Sequence, residues 1–463
     1  MELKIDEKGS LELVKNLDEN ETVIIVPDGV VCICKDAFRE YRNHVKRIIL
    51  PESVTAICDN AFSNLYSLEE INLPSALKEI GAEAFSGCKN LKNIEIPDSV
   101  VKIGFDTFYA CEGLERVVLP ENVCSIPSGA FQSCKNLKEI NLPARIDTIE
   151  ELAFCECCNL EKIVLPSALK RIGNGAFREC SSLKEINIPN NVNYIGYSAF
   201  KHCQELTKID IKGKVKIISD GAFHGCLKLE DVTLSDDTSS IGDEAFFGCE
   251  NLKKIYLGES LVSIGEGAFV DCKSLNEIDI PSTIKNIQFS AFSGCEKLEK
   301  IEMGQNLEYI GGNAFYDCIG LKEVYLPGGL QIIESQAFEN CINLEKINLP
   351  DSIKTLGAKT FQNCESLKKI KMPNKIKEIT GTFRGCKSIE QIILPSNLKI
   401  VGENTFNNCF NLKEIEFPAS LEGLYYCMHG NNLEKITLCN YTNLYSIGLQ
   451  IIINDFKYYY LDK

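Results

Sequence analysis

The chain of 463 residues lacks the features that mark a membrane or exported protein. No stretch approaches the ~20 consecutive apolar residues that a membrane-spanning helix requires. Residues 1–8 are rich in charge, whereas a secretory signal peptide has an apolar segment there. Residues 456–463 contain no lipidation or anchor motif. From these absences we predict a cytoplasmic protein with no membrane span, and the alternative is a cell-surface protein exported by an unrecognised route.

Basic residues are also in short supply. Lysine and arginine total 49 against 65 acidic residues, which gives a formal net charge of −16. Binding to nucleic acid depends on clustered basic side chains that neutralise phosphates. Adsorption to anionic membranes needs the same kind of cluster. The charge balance therefore opposes both kinds of partner.

The usual catalytic motifs are absent. No glycine-rich phosphate loop precedes a helix, and neither G-x-S-x-G nor H-E-x-x-H occurs. Glycine instead recurs in Ile-Gly pairs such as Ile80-Gly81, where we expect it to supply a backbone conformation closed to most residues. Active sites commonly interrupt a repeat with an irregular loop, and the spacing of this chain barely varies. We predict no enzymatic activity, no catalytic residue and no cofactor.

A ladder of phenylalanines dominates the sequence. Its step is 23 residues from Phe62 to Phe361, with 24 residues before that run and 22 after it. Such a period is typical of a solenoid, in which each unit buries its apolar side against its neighbours. The ladder consists of Phe38, Phe62, Phe85, Phe108, Phe131, Phe154, Phe177, Phe200, Phe223, Phe246, Phe269, Phe292, Phe315, Phe338, Phe361, Phe383 and Phe406.

One clean copy of the repeat runs from Lys135 to Phe154. Its L-x-x-I-x-L segment ends in apolar residues that alternate with polar ones, as in a half-buried strand. Pro143 then ends the strand, because proline cannot donate to the next rung of a ladder. A short strand, a turn and a return segment fit the ~20–29 residues of a leucine-rich repeat.

Residues 74–97 read PSALKEIGAEAFSGCKNLKNIEIP and resemble the BspA-like leucine-rich repeat family at every defined position. The resemblance covers roughly residues 23–440. It implies an α/β-type or mainly β solenoid, a curved leucine-rich repeat array of about 18 coils with short parallel strands. Members of that family are associated with adhesion and protein binding at the surfaces of bacteria and some parasitic protists.

The two ends depart from the repeat, as the caps of a solenoid do. Residues 1–22 hold alternating apolar residues and predict a short hairpin as the N-terminal cap. The solenoid is expected over residues 23–440, and residues 441–463 form a C-terminal cap or a tail. In the last repeat, Cys427 stands where we expect the ladder phenylalanine.

Cysteines form a second ladder, in which 15 of the 23 follow a ladder phenylalanine by three residues. Disulfide frameworks belong to small domains that lack a core, and this chain is long. Tyr41 and Leu65 fill the same place in the first two repeats, as expected of a buried packing position. We therefore predict a column of free thiols, with disulfides or a row of metal sites as the alternatives. The column consists of Cys88, Cys111, Cys134, Cys157, Cys180, Cys203, Cys226, Cys249, Cys272, Cys295, Cys318, Cys341, Cys364, Cys386 and Cys409.

Other cysteines cluster at Cys155 to Cys158 and at Cys32 and Cys34. A zinc site needs four convergent ligands, commonly two C-x-x-C pairs or added histidines. Only Cys155 and Cys158 form such a pair, and the four histidines of the chain stand far apart. We predict free thiols and no metal ligand here.

The outward positions of the predicted strands form two columns. The first alternates in charge sign from Glu139 to Lys346, which favours ion pairs between neighbouring strands. In the second column, a few apolar and aromatic residues interrupt the polar pattern. Exposed aromatic groups are enriched at the energetic centres of protein interfaces. The candidate partner-binding residues are Val118, Val164, Tyr256, Tyr325 and Ile393.

These observations predict a monomeric, non-catalytic scaffold that binds a protein partner through the strand face of a leucine-rich repeat solenoid. A surface adhesin that binds host or extracellular proteins is the main alternative, which the family resemblance carries. A cysteine-rich metal-binding or redox protein is the second alternative.

Overall fold

The computed structural model describes residues 2–15 and 21–438. The chain divides into two compact units, Met1–Ser235 and Asp236–Lys463. Among the described residues, the regular structure consists of short strands and one turn of 3-10 helix, Arg39–Tyr41. The predicted C-terminal cap, residues 441–463, lies outside the described residues.

Each coil contributes up to two strands, which we call front and back. The front strand surrounds the isoleucine of the L-x-x-I-x-L segment, and the back strand ends at the isoleucine or leucine five residues before the ladder phenylalanine in most coils. The front strands of the first unit are Val23–Ile25, Arg47–Ile49, Glu70–Ile71, Asn93–Glu95, Arg116–Val118, Glu139–Asn141, Lys162–Val164, Lys208–Asp210 and Asp231–Thr233. Its back strands are Cys32–Ile33, Ala56–Ile57, Glu79–Ile80, Lys102–Ile103, Ser125–Ile126, Thr148–Ile149, Arg171–Ile172, Tyr194–Ile195 and Ile217–Ile218.

The second unit repeats the arrangement. Its front strands are Lys254–Tyr256, Glu277–Asp279, Lys300–Glu302, Glu323–Val324, Lys346–Ile347, Lys369–Lys371, Gln391–Ile393, Glu414–Phe417 and Lys435–Leu438. Its back strands are Ser240–Ile241, Ser263–Ile264, Asn286–Ile287, Tyr309–Ile310, Ile332–Ile333, Thr355–Leu356, Glu378–Ile379, Ile400–Val401 and Gly423–Leu424.

Strands of successive coils pair in parallel, and the register equals one repeat. Arg116 lies opposite Asn93, for example, and Glu277 lies opposite Lys300. The predicted solenoid with short parallel strands is therefore confirmed, with about 18 turns. The structure has almost no helix. Of the two predicted fold classes, the mainly β solenoid is therefore the one confirmed.

The N-terminal segment forms an antiparallel hairpin of two strands, Glu2–Ile5 and Ser10–Lys15. Its second strand pairs in parallel with Cys32–Ile33, the first back strand. The hairpin thus covers the backbone edge that the first coil would otherwise leave open.

The ladder phenylalanines form the centre of the core. Ring centroids of successive coils lie 5.4 Å apart from Phe85 to Phe108, and the rings tilt by only 9° from each other. The same spacing recurs in the second unit, from Phe246 to Phe269. These rings are buried, and offset stacking at this distance adds to the stability that burial gives.

The thiols of the cysteine column have a defined hydrogen-bond partner. Thiols of the column donate to the carbonyl oxygen of the phenylalanine one coil earlier, for example from Cys180 Sγ to Phe154 O at 3.1 Å. In the second unit, Cys318 Sγ donates to Phe292 O at the same distance. These side chains are fully buried, and burial raises the pKa of the Cys180 and Cys318 thiols well above the usual range.

The glycine of the Ile-Gly pairs is required by space, contrary to the expectation of a special backbone conformation. Gly81 does not occupy the left-handed region, but a Cβ added there would lie 2.4 Å from the backbone nitrogen of Asp59. Gly104 meets the nitrogen of Ala82 at 2.3 Å in the same way. At Gly81 and Gly104 the adjacent coil therefore leaves no room for a Cβ.

The assignment of Cys427 to the phenylalanine position is wrong. Phe383 N donates to the oxygen of Thr405, the residue before the next ladder phenylalanine. Phe406 N donates in the same way to Cys427 O, which puts Met428 at the phenylalanine position. The step from Phe406 to Met428 is 22 residues, one shorter than the usual repeat.

Candidate functional site

The side chains of the two outward columns predicted from the sequence lie on the exposed face of the front strands. In Lys254–Tyr256, Ile255 is buried while both flanking side chains are exposed. This pattern recurs because successive side chains of a strand point to opposite faces. The outward side chains of each unit therefore form a largely polar surface with a few apolar members.

In the first unit, Val118 and Val164 lie in one column with Asn141 between them. Val164 is 66% exposed and Val118 is 36% exposed. Two strand spacings of ~4.8 Å separate the valines by ~10 Å. A cleft of about 220 Å³ opens beside Val118, and Arg116, Glu139 and Asn141 are among its lining residues.

In the second unit, Tyr256 projects from the front face with 46% of its surface exposed. Its hydroxyl donates a hydrogen bond to Asp236 Oδ1 at 2.9 Å. This hydrogen bond is the main reason that the pKa of Tyr256 is raised. The phenol is therefore held in place while its ring remains open to solvent.

Tyr325 is anchored in a similar way and is 68% exposed. Its hydroxyl donates to Glu323 Oε2 at 2.7 Å, and Lys346 Nζ lies 2.6 Å from Glu323 Oε1. The ammonium of Lys346 and then the Tyr325 hydroxyl lower the pKa of Glu323. A neighbouring carboxylate and a cross-strand lysine thus fix the ring of Tyr325.

Ile393 is the third apolar member in the second unit, and it is 49% exposed. It lies directly opposite Lys371 on the neighbouring strand. The structure therefore places Val118, Val164, Tyr256 and Ile393 on front strands and Tyr325 directly after the strand Glu323–Val324. All five side chains are exposed, two in the first unit and three in the second.

The alternating charges of the first column form fewer direct pairs than the sequence led us to expect. Lys346 and Glu323 pair across strands, but Lys300 Nζ contacts Glu302 of its own strand at 3.1 Å. Other cross-coil pairs lie in different columns, such as Lys184 with Glu161 at 2.9 Å. Exposed pairs of this kind contribute little to stability, ~0–1 kcal/mol each.

The sequence profile of a known protein family covers nearly the whole solenoid. The family is described as a BspA type leucine-rich repeat region with 6 copies, and it matches residues 16–119, 101–230, 216–345 and 331–455. The chain belongs to the BspA-type leucine-rich repeat family. Proteins with leucine-rich repeats are commonly protein-binding or adhesin scaffolds and are typically non-enzymatic.

Solved structures include similar repeat proteins. A leucine-rich repeat protein from Bacteroides ovatus ATCC 8483 is 25% identical, and the match covers 84% of this chain and 97% of that chain with a TM-score of 0.53. A leucine-rich cell surface protein from Faecalibacterium prausnitzii A2-165 is 28% identical over 74% of this chain and 92% of that chain, with a TM-score of 0.46. A comparison of this chain with curated proteins finds no match.

Within residues 2–15 and 21–438, we find no helix with the length and apolar character of a membrane span. The same residues contain no group of three or more histidine, cysteine, aspartate or glutamate side chains positioned to hold a metal ion. All 22 cysteines among them are free thiols.

The cysteines outside the column do not group in space as they cluster in the sequence. Cys155 is buried, whereas Cys158 is half-buried and donates to the oxygen of Glu156. Cys32 instead has its thiol 3.3 Å from that of Cys58. Burial, followed by the hydrogen bond with Cys58, raises the pKa of Cys32 to about 12. The sequence analysis missed this pair, although two cysteines one coil apart near the back strands were the available signal.

Sequence reasoning also missed exposed aromatic residues away from the front face of this BspA-type chain. Phe105, Tyr197 and Phe289 are all more than half exposed, and each stands three residues before a ladder phenylalanine. Other coils have polar residues there, such as Asp59 and Ser128. That contrast between coils is the signal in the sequence that marks them.

Proposed function

We propose that this BspA-type chain is a non-catalytic scaffold that binds a protein partner through its front strand face. The observation that carries the proposal is the pair of anchored and exposed tyrosines, Tyr256 and Tyr325. Tyrosine offers a large apolar ring with a polar end and is enriched at interface hot spots.

The anchoring of the two hydroxyls supports this role energetically. Binding costs ~0.5–1.5 kcal/mol for each flexible side chain that becomes ordered. Asp236 and Glu323 already restrict the two rings in the free protein. Because the two tyrosine side chains lose less conformational freedom on binding, more of the contact energy contributes to affinity.

The test is quantitative affinity capture from native lysate with the Tyr256→Ser/Tyr325→Ser variant. We expect loss of at least about tenfold in captured partner, because each hot-spot side chain contributes ~2 kcal/mol or more. The matched control is Tyr109→Ser/Tyr197→Ser, which removes two exposed tyrosines that lie outside the front strands. Equal capture by the front-face variant and the wild type would remove the tyrosines from the site.

We further propose that the chain acts in the cytoplasm as a monomer. A surface adhesin is the rival, and an epitope tag probed on intact and on permeabilised cells separates the two. We expect a signal only after permeabilisation. Labelling of intact cells would replace the cytoplasmic proposal with the adhesin.

A further inference from the structure

The back sheet of the second unit is interrupted between two coils. Thr355–Leu356 pairs with Ile332–Ile333 on one side, and Glu378–Ile379 pairs with Ile400–Val401. Among the described residues, no strand pairing joins Thr355–Leu356 to Glu378–Ile379.

The missing backbone hydrogen bonds can be named from the neighbouring coils. Gly357 N donates to Ile333 O at 2.8 Å, and Gly402 N donates to Ile379 O at 2.7 Å. The equivalent bond from Thr380 N to Leu356 O is absent from the described structure, and so is the bond from Lys377 N to Lys354 O. Two carbonyls on one strand edge and two N–H groups on the other therefore lack their ladder partners.

The repeat is one residue shorter at this interruption. The ladder step from Phe361 to Phe383 is 22 residues, and the missing residue lies in the turn that follows Ile379. The stacked rings lie 5.9 Å apart at this step. The hydroxyl of Thr382 is buried without a hydrogen-bond partner, whereas the hydroxyl of the equivalent Thr360 donates to Gly357 O at 2.6 Å.

A cleft of about 560 Å³ occupies the gap. Its floor includes the buried side chains of Leu356 and Ile376. Its rim carries three lysines and one carboxylate: Lys354, Lys375, Lys377 and Glu378. Pockets that bind ligands commonly have volumes of ~300–1,000 Å³. The cleft is therefore large enough for several residues of an extended chain.

The charge around the cleft is opposite to that of the whole protein. Residues 354–387 contain nine lysines and arginines against two glutamates, Glu365 and Glu378, in a chain of net charge −16. Glu365 is paired with Lys387 at 2.6 Å. Lys375 and Lys377 are exposed and have no ion-pair partner among the described residues. The local field therefore attracts an anionic ligand.

We propose that this cleft binds an extended, acidic segment of a partner protein. The backbone of the segment lies along the open strand edge and donates N–H groups to the carbonyls of Lys354 and Leu356, a β-strand addition. Its carboxylates face Lys375 and Lys377. The site lies on the back strands and is separate from the front face of the proposed function.

The unpaired carbonyls favour a peptide over other anionic ligands. Phosphate groups of a nucleic acid or a lipid accept hydrogen bonds but have no N–H to offer Lys354 and Leu356. A peptide backbone supplies donors as well as acceptors, and its side chains supply the charge. An acidic peptide therefore satisfies both the carbonyls and the lysines of the cleft, whereas a polyphosphate satisfies only the lysines.

The experiment measures fluorescence anisotropy of a labelled, blocked hexapeptide of alternating glutamate and valine with the full chain. We expect the Lys375→Glu/Lys377→Glu variant to bind at least about tenfold more weakly, because like charges at an interface repel. The control Lys78→Glu/Lys138→Glu carries the same change of net charge in the first unit and should bind within about twofold of the wild type. Circular dichroism and a thermal melt establish that each variant is folded.

A second pair of probes tests the backbone part of the proposal. Methylation of alternate peptide nitrogens removes N–H donors without changing charge, and we expect it to weaken binding at least about tenfold. The proposal is overturned if the methylated peptide, or an oligothymidylate with the same number of charges, binds as tightly as the parent. Equal binding of the parent peptide by the Lys375→Glu/Lys377→Glu variant also overturns it. The Tyr256→Ser/Tyr325→Ser variant should bind the peptide normally, which separates this result from the test of the front face.

Discussion

At the scale of single residues, the thiol column combines burial with a specific acceptor. Sγ is a small apolar group with a weak donor, and it fits against the phenylalanine carbonyl of the preceding coil. Leu65, which takes the same place in an early coil, is also fully buried but cannot donate. The position thus requires an apolar side chain, and the hydrogen bond from the thiol is not essential to it.

Because of the buried thiols, we expect the stability of the protein to decrease at alkaline pH. Burial raises their pKa in the folded state, so they remain protonated where thiols of the unfolded chain ionise, above ~8.5. Stability is therefore fully present below that pH and falls as pH rises, by up to ~1.4 kcal/mol per pH unit for each thiol. Denaturant unfolding at pH 7, 9 and 10 under reducing conditions should show this decline.

A double variant identifies the thiols as the cause. Cys180→Ala/Cys203→Ala should be less stable at pH 7, because it loses buried volume and two hydrogen bonds. Its stability should also fall less steeply than that of the wild type between pH 9 and 10, because two titrating groups are gone. Parallel declines in the two proteins would show that other groups carry the alkaline sensitivity.

Reactivity of individual cysteines follows their exposure. Cys124 is exposed, whereas the column thiols are buried. A chromogenic disulfide reagent should react quickly with Cys124 in the native protein and with the column only on unfolding. The Cys124→Ser variant should lose one rapidly reacting thiol relative to the wild type. An unchanged rapid phase would mean that the exposed thiol lies elsewhere.

At the scale of the structural elements, the turn after the back strand Ser263–Ile264 contains two kinds of glycine. A Cβ at Gly265 would meet the backbone nitrogen of Asp243 at 2.6 Å. Gly267 has a φ of +59°, yet a Cβ there would find only ordinary contacts. Asn60 and Asn313 occupy the equivalent of Gly267 with the same positive φ. The first glycine is needed for space and the second only for conformation.

Two substitutions in this one turn separate the effects. Gly265→Ala should destabilise by about 2 kcal/mol or more, because the neighbouring coil has to move. Gly267→Asn should change stability by less than about 1 kcal/mol, since asparagine tolerates the left-handed region. Denaturant unfolding measures both. A larger loss in Gly267→Asn than in Gly265→Ala would contradict the assignment of roles.

At the scale of the whole molecule, a solenoid has exposed ends that must be covered. The hairpin Glu2–Ile5 and Ser10–Lys15 pairs with Cys32–Ile33 and so closes the first edge of the back sheet. Open edges of this kind recruit other chains. We therefore expect the hairpin to limit self-association.

Removal of residues 1–15 should expose that edge and produce dimers or larger aggregates. Size-exclusion chromatography with light scattering measures the change at increasing protein concentration. The control is Lys4→Ala/Glu12→Ala, which removes a surface ion pair of the hairpin and leaves its backbone in place. A truncated protein that stays monodisperse would show that the hairpin does not protect the edge.

The amino-acid sequence by itself determined the repeat, the parallel strands and the buried positions. The reason is that a strict period places the same residue type at the same point of every coil, so patterns along the chain report packing directly. The exposure of Val164 and Tyr325, and the burial of the ladder phenylalanines, followed from this alternation alone.

Only the tertiary structure decided the features that depend on contacts between coils. The approach of Cys32 to Cys58, the anchoring of Tyr256 by Asp236 and the lack of space at Gly81 all join residues 20 or more positions apart. The shortened step at Phe383 is visible in the sequence, but the opening of the back sheet beside Leu356 is not. A missing residue can be absorbed in several ways, and the packing of the neighbouring coils selects one of them.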